Sequence, residues 1–219
     1  MGNGSLEIPQ KTVRVNLPLG RGRELPQAIT SLQPGTTVLD LGSGDGAYSF
    51  LAATAVGENG FVIGVDTTPD MISQARANVI QNGFCNVSFR LGELEYLPVA
   101  DETVDAIISH YGVNQSSGKA QVFREAFRVL KPGGGLAIVD LVATQAVLED
   151  VAEDDVLYTE FLSGVLILDD IEDMLRAAGF EQIRSQIKPA QSGTRQASSP
   201  KQALKNIVLP ALIEAIKPA

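Results

Sequence analysis

Short apolar segments alternate with amphipathic segments along the first two thirds of this 219-residue chain, and this alternation limits the possible folds most. Runs rich in β-branched residues predict buried strands, and the segments between them carry helix boundary signals such as Pro69 and Gly83. The predicted strands are residues 37–41, 61–65, 86–91, 104–109 and 136–141, and the predicted helices are 47–56, 69–81 and 119–130. Because strands that alternate with helices pair in parallel, the pattern predicts a doubly wound α/β sheet with helices on both faces.

The segments before the first strand and after the fifth strand do not continue this alternation of strands and helices. Residues 1–20 are expected to be irregular, residues 24–32 helical, and the polar stretch 191–200 a surface loop. After the fifth strand, an acidic helix is expected over 149–162, and a further helix begins at Asp169 or Asp170 and ends at Gly179. Two more strands are predicted over 180–187 and 211–216, the second kept short by Pro210.

The charge balance and the cysteine count exclude several classes of protein. The formal net charge is −9, which disfavours nucleic acid and anionic membrane surfaces as partners because both attract clustered Lys and Arg. Cys85 is the only cysteine, so an internal disulfide and a thiolate-based metal site are not expected. No apolar run reaches the ~20 residues that span a bilayer. We therefore expect a cytoplasmic protein that acts on a small molecule, without a membrane or a metal.

A glycine-rich loop, Asp40-Leu41-Gly42-Ser43-Gly44-Asp45-Gly46-Ala47, joins the first strand to its helix. Glycines there let the backbone turn sharply and approach a ligand at the amino end of the helix. The loop satisfies the dinucleotide fingerprint G-x-G-x-x-G/A, and Asp66 at the end of the second strand could accept hydrogen bonds from ribose hydroxyls. At this point an NAD enzyme and an S-adenosylmethionine enzyme fit equally well.

Three further features favour the second cofactor. Asp40 lies at the entrance of the loop, where a carboxylate suits the cationic methionine end of S-adenosylmethionine and opposes a pyrophosphate. Gly92-Glu93 follows the third strand, where an adenine edge could be read, and 130–134 (LKPGG) ends a helix before the fifth strand. The order of four such motifs along one chain is far more specific than the glycine loop alone.

In these motifs the chain resembles class I S-adenosylmethionine-dependent methyltransferases, and within them the arsenite methyltransferase branch. The segments that carry the resemblance are the glycine loop, 62–71 (VIGVDTTPDM), 87–98 (VSFRLGELEYLP), 122–134 (VFREAFRVLKPGG) and 157–164. The resemblance implies a mostly parallel seven-stranded sheet whose last strand is antiparallel. It also implies one methyltransferase domain over 21–219, with the cofactor half in 36–141 and the substrate-side elements in 142–219.

The resemblance further implies which residues hold the cofactor. Asp40 and the loop glycines would line its methionine and ribose portion, Asp66 would bind the ribose diol, and Glu93 would read the adenine edge. The full expected set is Asp40, Gly42, Ser43, Gly44, Gly46, Asp66, Thr67, Met71, Gly92, Glu93, Leu94 and Ser109.

The chain departs from the arsenite branch where that branch is expected to place its arsenic-binding cysteines. Tyr111 after the fourth strand, and Thr159 and Phe161 in the substrate-side helix, stand at those positions. Cys85 precedes the third strand, far from any acceptor pocket, and is expected to be a half-buried packing residue. Because a soft metalloid needs soft ligands, arsenite is expected to be a poor acceptor.

His110, the only histidine, follows the fourth strand, where ligands of open α/β sheets bind. It is a candidate general base, with a solvated or capping imidazole as the alternative, and Tyr111 and Tyr158 are candidate walls of an acceptor pocket. The leading hypothesis is a methyltransferase, monomeric or homodimeric, that acts on a small organic acceptor at oxygen, nitrogen or carbon. The alternatives are a non-catalytic S-adenosylmethionine-binding protein and an NAD enzyme.

Overall fold

The structure is a computed structural model, and it describes residues 32–143, 166–187 and 208–219. The expectations for 1–20, for 149–162 and for 191–200 lie outside the described residues, as does the helix expected over 24–32 except for Leu32.

Eight strands and four α-helices make up the described part of the chain. The strands are β1 (Thr37–Leu41), β2 (Phe61–Asp66), β3 (Val87–Leu91), β4 (Val104–His110), β5 (Leu130–Ala143), β6 (Leu166–Ile167), β7 (Glu181–Ile187) and β8 (Val208–Ile216). The helices are α1 (Ala47–Val56), α2 (Pro69–Asn82), α3 (Lys119–Val129) and α4 (Leu168–Ala178), and a 3₁₀ turn spans Val113–Gln115. Within these ranges, no helix is long and apolar enough to cross a membrane.

The strands form one sheet in the order β3-β2-β1-β4-β5-β8-β7, and the two-residue β6 pairs with the end of β5. All pairs from β3 to β5 are parallel, whereas β8 is antiparallel to both of its neighbours, β5 and β7. The expected mostly parallel sheet with an antiparallel last strand is confirmed, and β6 is an additional short strand that the sequence did not predict.

Helices cover both faces of the sheet, because alternate residues of each strand point to opposite sides. On β1, Val38 joins a buried cluster with Phe50 of α1 and Ile72 of α2. The next residue, Leu39, joins a second cluster with Phe123 of α3 and Leu175 of α4. The expected doubly wound arrangement is therefore confirmed, and the carboxyl ends of β1, β2 and β4 meet at one edge.

Several predicted boundaries were wrong, and three of the errors concern β4, β5 and β8. His110 is the last residue of β4 rather than the residue after it, and β5 begins at Leu130, which pairs with Val104 before a register shift. The last strand runs through Pro210, which pairs with Leu141 of β5. Pro210 lies next to Ala211, the residue of β8 that pairs with Ile187, where the described part of β7 stops.

Candidate ligand-binding site

The glycine loop folds back onto the end of β2. The amides of Gly42 and Ser43 donate to the carbonyl oxygen of Val65, at 2.9 and 3.0 Å. The amide of Gly44 donates to Oδ2 of Asp66 at 2.9 Å, and Oδ1 of Asp66 accepts from the amide of Thr68 at 2.8 Å. Asp66 therefore holds the loop in place from the neighbouring strand.

The three loop glycines are required for different reasons. A Cβ atom on Gly42 would lie 2.7 Å from the Cα of Gly112, and one on Gly46 would lie 2.6 Å from the ring of Phe89. Gly44 has φ +54° and no heavy atom within 4 Å of its Cβ position. Gly42 and Gly46 thus allow close packing within the protein, whereas Gly44 leaves space open beside the backbone.

A cavity of about 160 Å³ opens at the carboxyl edge of the sheet. It is hereafter called the acidic cleft, because three carboxylates and no lysine or arginine stand among the described residues that line it. Five of its residues belong to the set expected from the sequence, namely Gly42, Asp66, Thr67, Glu93 and Leu94. Five others were missed, namely Glu95, Gly112, Gln115, Ser116 and Ser117.

The missed residues come from two loops: Glu95 lies after β3, within the 87–98 motif segment, and the other four follow β4. Ser116 donates its hydroxyl hydrogen to Oε1 of Glu95, and the amide of Gly118 donates to the same oxygen at 3.2 Å. The Ser116 hydrogen bond holds the pKa of Glu95 below its usual range. These contacts tie the loop after β3 to the loop after β4, so Glu95 contributes a fixed negative charge to the cleft.

Asp40 lies beneath the glycine loop with 1% of its surface exposed, and Oδ2 accepts from the Ser49 hydroxyl at 2.6 Å. Burial raises the pKa of Asp40 to about 6, even though the Ser49 hydrogen bond opposes that change. Because this pKa is above that of an unfolded chain, ionised Asp40 destabilises the fold, and the destabilisation grows as pH rises from about 4 to 6. A neighbouring cation would offset it.

His110 lies within an aromatic cluster of Tyr48, His110 and Tyr111. The Tyr48 hydroxyl is 2.9 Å from Nε2 of His110, and the two ring centroids are 4.0 Å apart. The Tyr111 ring meets the imidazole edge-to-face at 4.3 Å, from a backbone with φ +58°. Burial lowers the pKa of His110 to about 4, so the imidazole is neutral at physiological pH. Tyr48 carries no motif and was missed.

The other expected residues lie apart from the cleft lining. Ser109 is buried and donates its hydroxyl to the carbonyl oxygen of Leu41 at 2.9 Å. Met71 is exposed at the start of α2, and Gly92 packs against the ring of Pro98. Ser43 lies under the loop, where its buried hydroxyl oxygen has no hydrogen-bond partner among the described residues.

The remaining expectations concern Cys85 and the substrate-side helix. Cys85 is exposed, not half-buried, because it lies in the turn between α2 and β3. This turn is at the amino edge of the parallel sheet, opposite the acidic cleft. Tyr158, Thr159 and Phe161 lie outside the described residues.

A larger cavity, of about 370 Å³, opens at the amino ends of β4 and β5. It borders Leu32, the first described residue, and none of the expected site residues lines it. Because ligands of open α/β sheets bind at the carboxyl ends of the strands, the smaller acidic cleft is the candidate site.

Comparison with known proteins identifies the family of the chain. A family model described as a methyltransferase domain matches residues 32–195. An arsenite methyltransferase of Halobacterium salinarum is 47% identical over 203 residues, which are 92% of this chain and 51% of that protein. A demethylmenaquinone methyltransferase of Listeria monocytogenes is 34% identical over 118 residues, 54% of this chain and 50% of that protein. The chain thus spans about half the length of these relatives.

Among solved structures, an arsenic(III) S-adenosylmethionine methyltransferase from Chlamydomonas reinhardtii superposes with a TM-score of 0.69. It is 32% identical to this chain, and the match covers 85% of this chain and 64% of the algal one.

Proposed function

Since this chain belongs to the methyltransferase domain family, we propose that it transfers the methyl group of S-adenosylmethionine to a small organic acceptor. When bound, S-adenosylmethionine supplies a methyl carbon that the acceptor attacks in line as the bond from that carbon to sulfur breaks. The enzyme's part is then to hold both reactants and exclude water.

The acidic cleft beside Gly44 is the observation that carries the proposal. S-Adenosylmethionine has a net positive charge, and Asp66, Glu93 and Glu95 give the cleft the opposite charge. The open space at Gly44 lets a ligand approach the backbone. The two phosphates of a dinucleotide would be repelled by these carboxylates, although Asp66 could still bind its ribose.

The roles that we propose follow from position. Asp66, Thr67, Glu93 and Leu94 hold the adenosine end, whereas Gly42, Gly44 and buried Asp40 face the methionine end. His110 and Tyr111 contact the acceptor, because they stand at the carboxyl end of β4 beside the loop. Buried Asp40 makes no direct contact with the ligand in this assignment, and its charge acts on the sulfonium and ammonium groups across the glycine loop.

Two measurements test the proposal. Calorimetry with S-adenosylmethionine, S-adenosylhomocysteine and NAD should give binding of the first two ligands and none of NAD. Incubation with S-adenosylmethionine and a panel of organic nucleophiles should then release S-adenosylhomocysteine in at least one case. Binding without release from any acceptor would favour the non-catalytic alternative, and binding of NAD alone would refute the proposal.

Cofactor affinity should depend on pH through Asp40. At pH 5 this carboxyl is mostly protonated, since its pKa is about 6, and at pH 7.5 it is ionised and attracts the cation. We expect S-adenosylmethionine to bind about fivefold more tightly at pH 7.5 than at pH 5, the change that a one-unit lowering of the Asp40 pKa on binding gives over this range. Calorimetry of Asp40→Asn should show that the pH dependence is reduced; an unchanged slope would assign it to other groups.

Arsenite should be methylated poorly or not at all by this chain. Its one thiol, Cys85, is exposed at the amino edge of the sheet, whereas the acidic cleft lies at the carboxyl edge. A trivalent arsenic centre prefers several soft ligands, which one remote thiol does not supply. Incubation with arsenite, glutathione and S-adenosylmethionine should yield no methylated arsenic. Turnover that survives in Cys85→Ser would show that no protein thiol is needed and that arsenite is an acceptor.

A further inference from the structure

The contact between Tyr48 and His110 joins residues 62 positions apart in the chain. Tyr48 lies in the first turn of α1, directly after the glycine loop, and His110 ends β4 on the face that α1 covers. Both side chains are half-buried, and their ring centroids lie 4.0 Å apart in a tilted arrangement with an interplanar angle of 31°. The imidazole is thus held by this ring contact and by a 2.9 Å hydrogen bond at Nε2.

The direction of this hydrogen bond follows from the chemistry of the two groups. A neutral imidazole has one N–H and one nitrogen lone pair, and a phenol can donate or accept. A phenol O–H is a much stronger acid than an imidazole N–H, and the imidazole lone pair is a much stronger base than a phenol oxygen. The favourable arrangement therefore has the Tyr48 hydroxyl donating to Nε2, with the imidazole hydrogen on Nδ1.

The surroundings keep both partners in the required protonation states. Burial raises the pKa of Tyr48, and the nearby Tyr111 and Asp40 raise it further, so the phenol keeps its proton. Tyr48 on α1, Tyr111 after β4 and Asp40 on β1 are the titratable groups that meet at this cluster. A cationic imidazole could not accept from Tyr48, so a neutral His110 fits the contact.

We propose that Tyr48 is a positioning residue that fixes His110 as the Nδ1–H tautomer, and that His110 therefore serves the reaction as a hydrogen-bond donor rather than as a general base. With Nε2 occupied and Nδ1 protonated, the ring has no free lone pair to receive a proton. The matching acceptor is a molecule that offers a lone pair to an N–H group and reacts without first giving its proton to His110. This role rests on the methyltransferase function proposed above, whereas the tautomer itself does not.

Nitrogen NMR of the imidazole tests the tautomer directly, because His110 is the only histidine in the chain. In protein labelled with ¹⁵N, two-bond correlations distinguish the protonated ring nitrogen from the unprotonated one. At pH 7 we expect Nδ1 to carry the hydrogen and Nε2 to be unprotonated, with and without S-adenosylhomocysteine. A hydrogen on Nε2, or a cationic ring, would overturn the proposal.

The Tyr48→Phe variant tests the positioning role because it removes the hydroxyl and keeps the aromatic ring beside His110. A hydrogen bond to the neutral form of a base lowers its pKa, so removing this one should raise the His110 titration midpoint by about one pH unit. The ring nitrogens should also shift toward a mixture of the two tautomers. Unchanged nitrogen signals and an unchanged midpoint in Tyr48→Phe would refute the role of Tyr48.

Tyr96→Phe is the matched control, since Tyr96 is 75% exposed and does not belong to the aromatic cluster. This variant should reproduce the wild-type imidazole signals and midpoint, and an equal change there would also overturn the proposal. Calorimetry with S-adenosylmethionine on the same samples tests the proposed function separately from the tautomer. If the wild-type chain does not bind S-adenosylmethionine, the proposed function is refuted, but the measured tautomer of His110 still stands.

Discussion

A Gly44→Val variant should lose measurable binding of S-adenosylmethionine while it remains folded. The Cβ position of Gly44 has no protein atom within 4 Å, so a side chain there meets no protein group and instead fills the approach to the backbone. We expect the dissociation constant to rise at least ~100-fold, which corresponds to ~2.7 kcal/mol. Calorimetry measures the affinity, and circular dichroism with thermal unfolding verifies the fold.

The backbone conformation itself requires a control, because φ +54° is strained for any residue with a Cβ, at ~1–2 kcal/mol. Gly83→Val provides it: Gly83 has φ +71°, nothing within 4 Å of its Cβ position, and a place at the end of α2 away from the cleft. The two variants should lose similar stability, but only Gly44→Val should lose binding. Wild-type affinity in Gly44→Val would mean that the nucleoside lies elsewhere.

An Asp66→Ala variant should weaken S-adenosylmethionine binding by ~1.5–3 kcal/mol, the range for hydrogen bonds that involve a charged group. The upper part of the range is expected because Asp66 has two tasks. Its Oδ2 atom fixes the amide of Gly44, and the same carboxylate lines the acidic cleft where ribose hydroxyls would donate. Removing it loosens the loop and deletes the ligand contact together.

Two further variants separate these contributions. Glu58→Ala removes the same charge from an exposed turn and should leave the affinity unchanged. Asp66→Asn keeps a carbonyl oxygen for one partner but replaces the other oxygen with a donor, so an intermediate loss is expected. Calorimetry with equal affinity for the wild type and a folded Asp66→Ala would remove Asp66 from the site.

The sequence predicts the parallel part of the sheet well because its signals are local. Pro69 and Gly83 mark the ends of α2, and each of the first four strands is a short apolar run whose burial needs no knowledge of its partners. The errors arise where the boundary of a strand depends on which strand it pairs with. Pro210 is part of β8 through its pairing with Leu141 of β5, and Leu130 extends β5 because it pairs with Val104.

The residues of the candidate site likewise divide into those that local sequence signals identify and those that depend on contacts with distant residues. The residues near motifs, such as Asp66 and Glu93, are recognisable in the sequence because each directly follows a predicted strand. Glu95 and Tyr48 could not be found in that way, since their roles depend on partners 21 and 62 positions away, Ser116 and His110. The neutrality of His110 is likewise a property of its burial and not of its position in the chain.

The placement of β8 between β5 and β7 has a consequence for biosynthesis. A ribosome delivers β1 to β5 in an order that lets each parallel pair form as its strands emerge, but β7 has no described partner other than β8. Until residues 208–216 are released, β7 lacks the one partner that the described strands give it, and no described strand covers the β8-facing side of β5. Open edges recruit strands from other chains. The nascent protein therefore passes through an aggregation-prone stage that ends only when its last described strand is inserted.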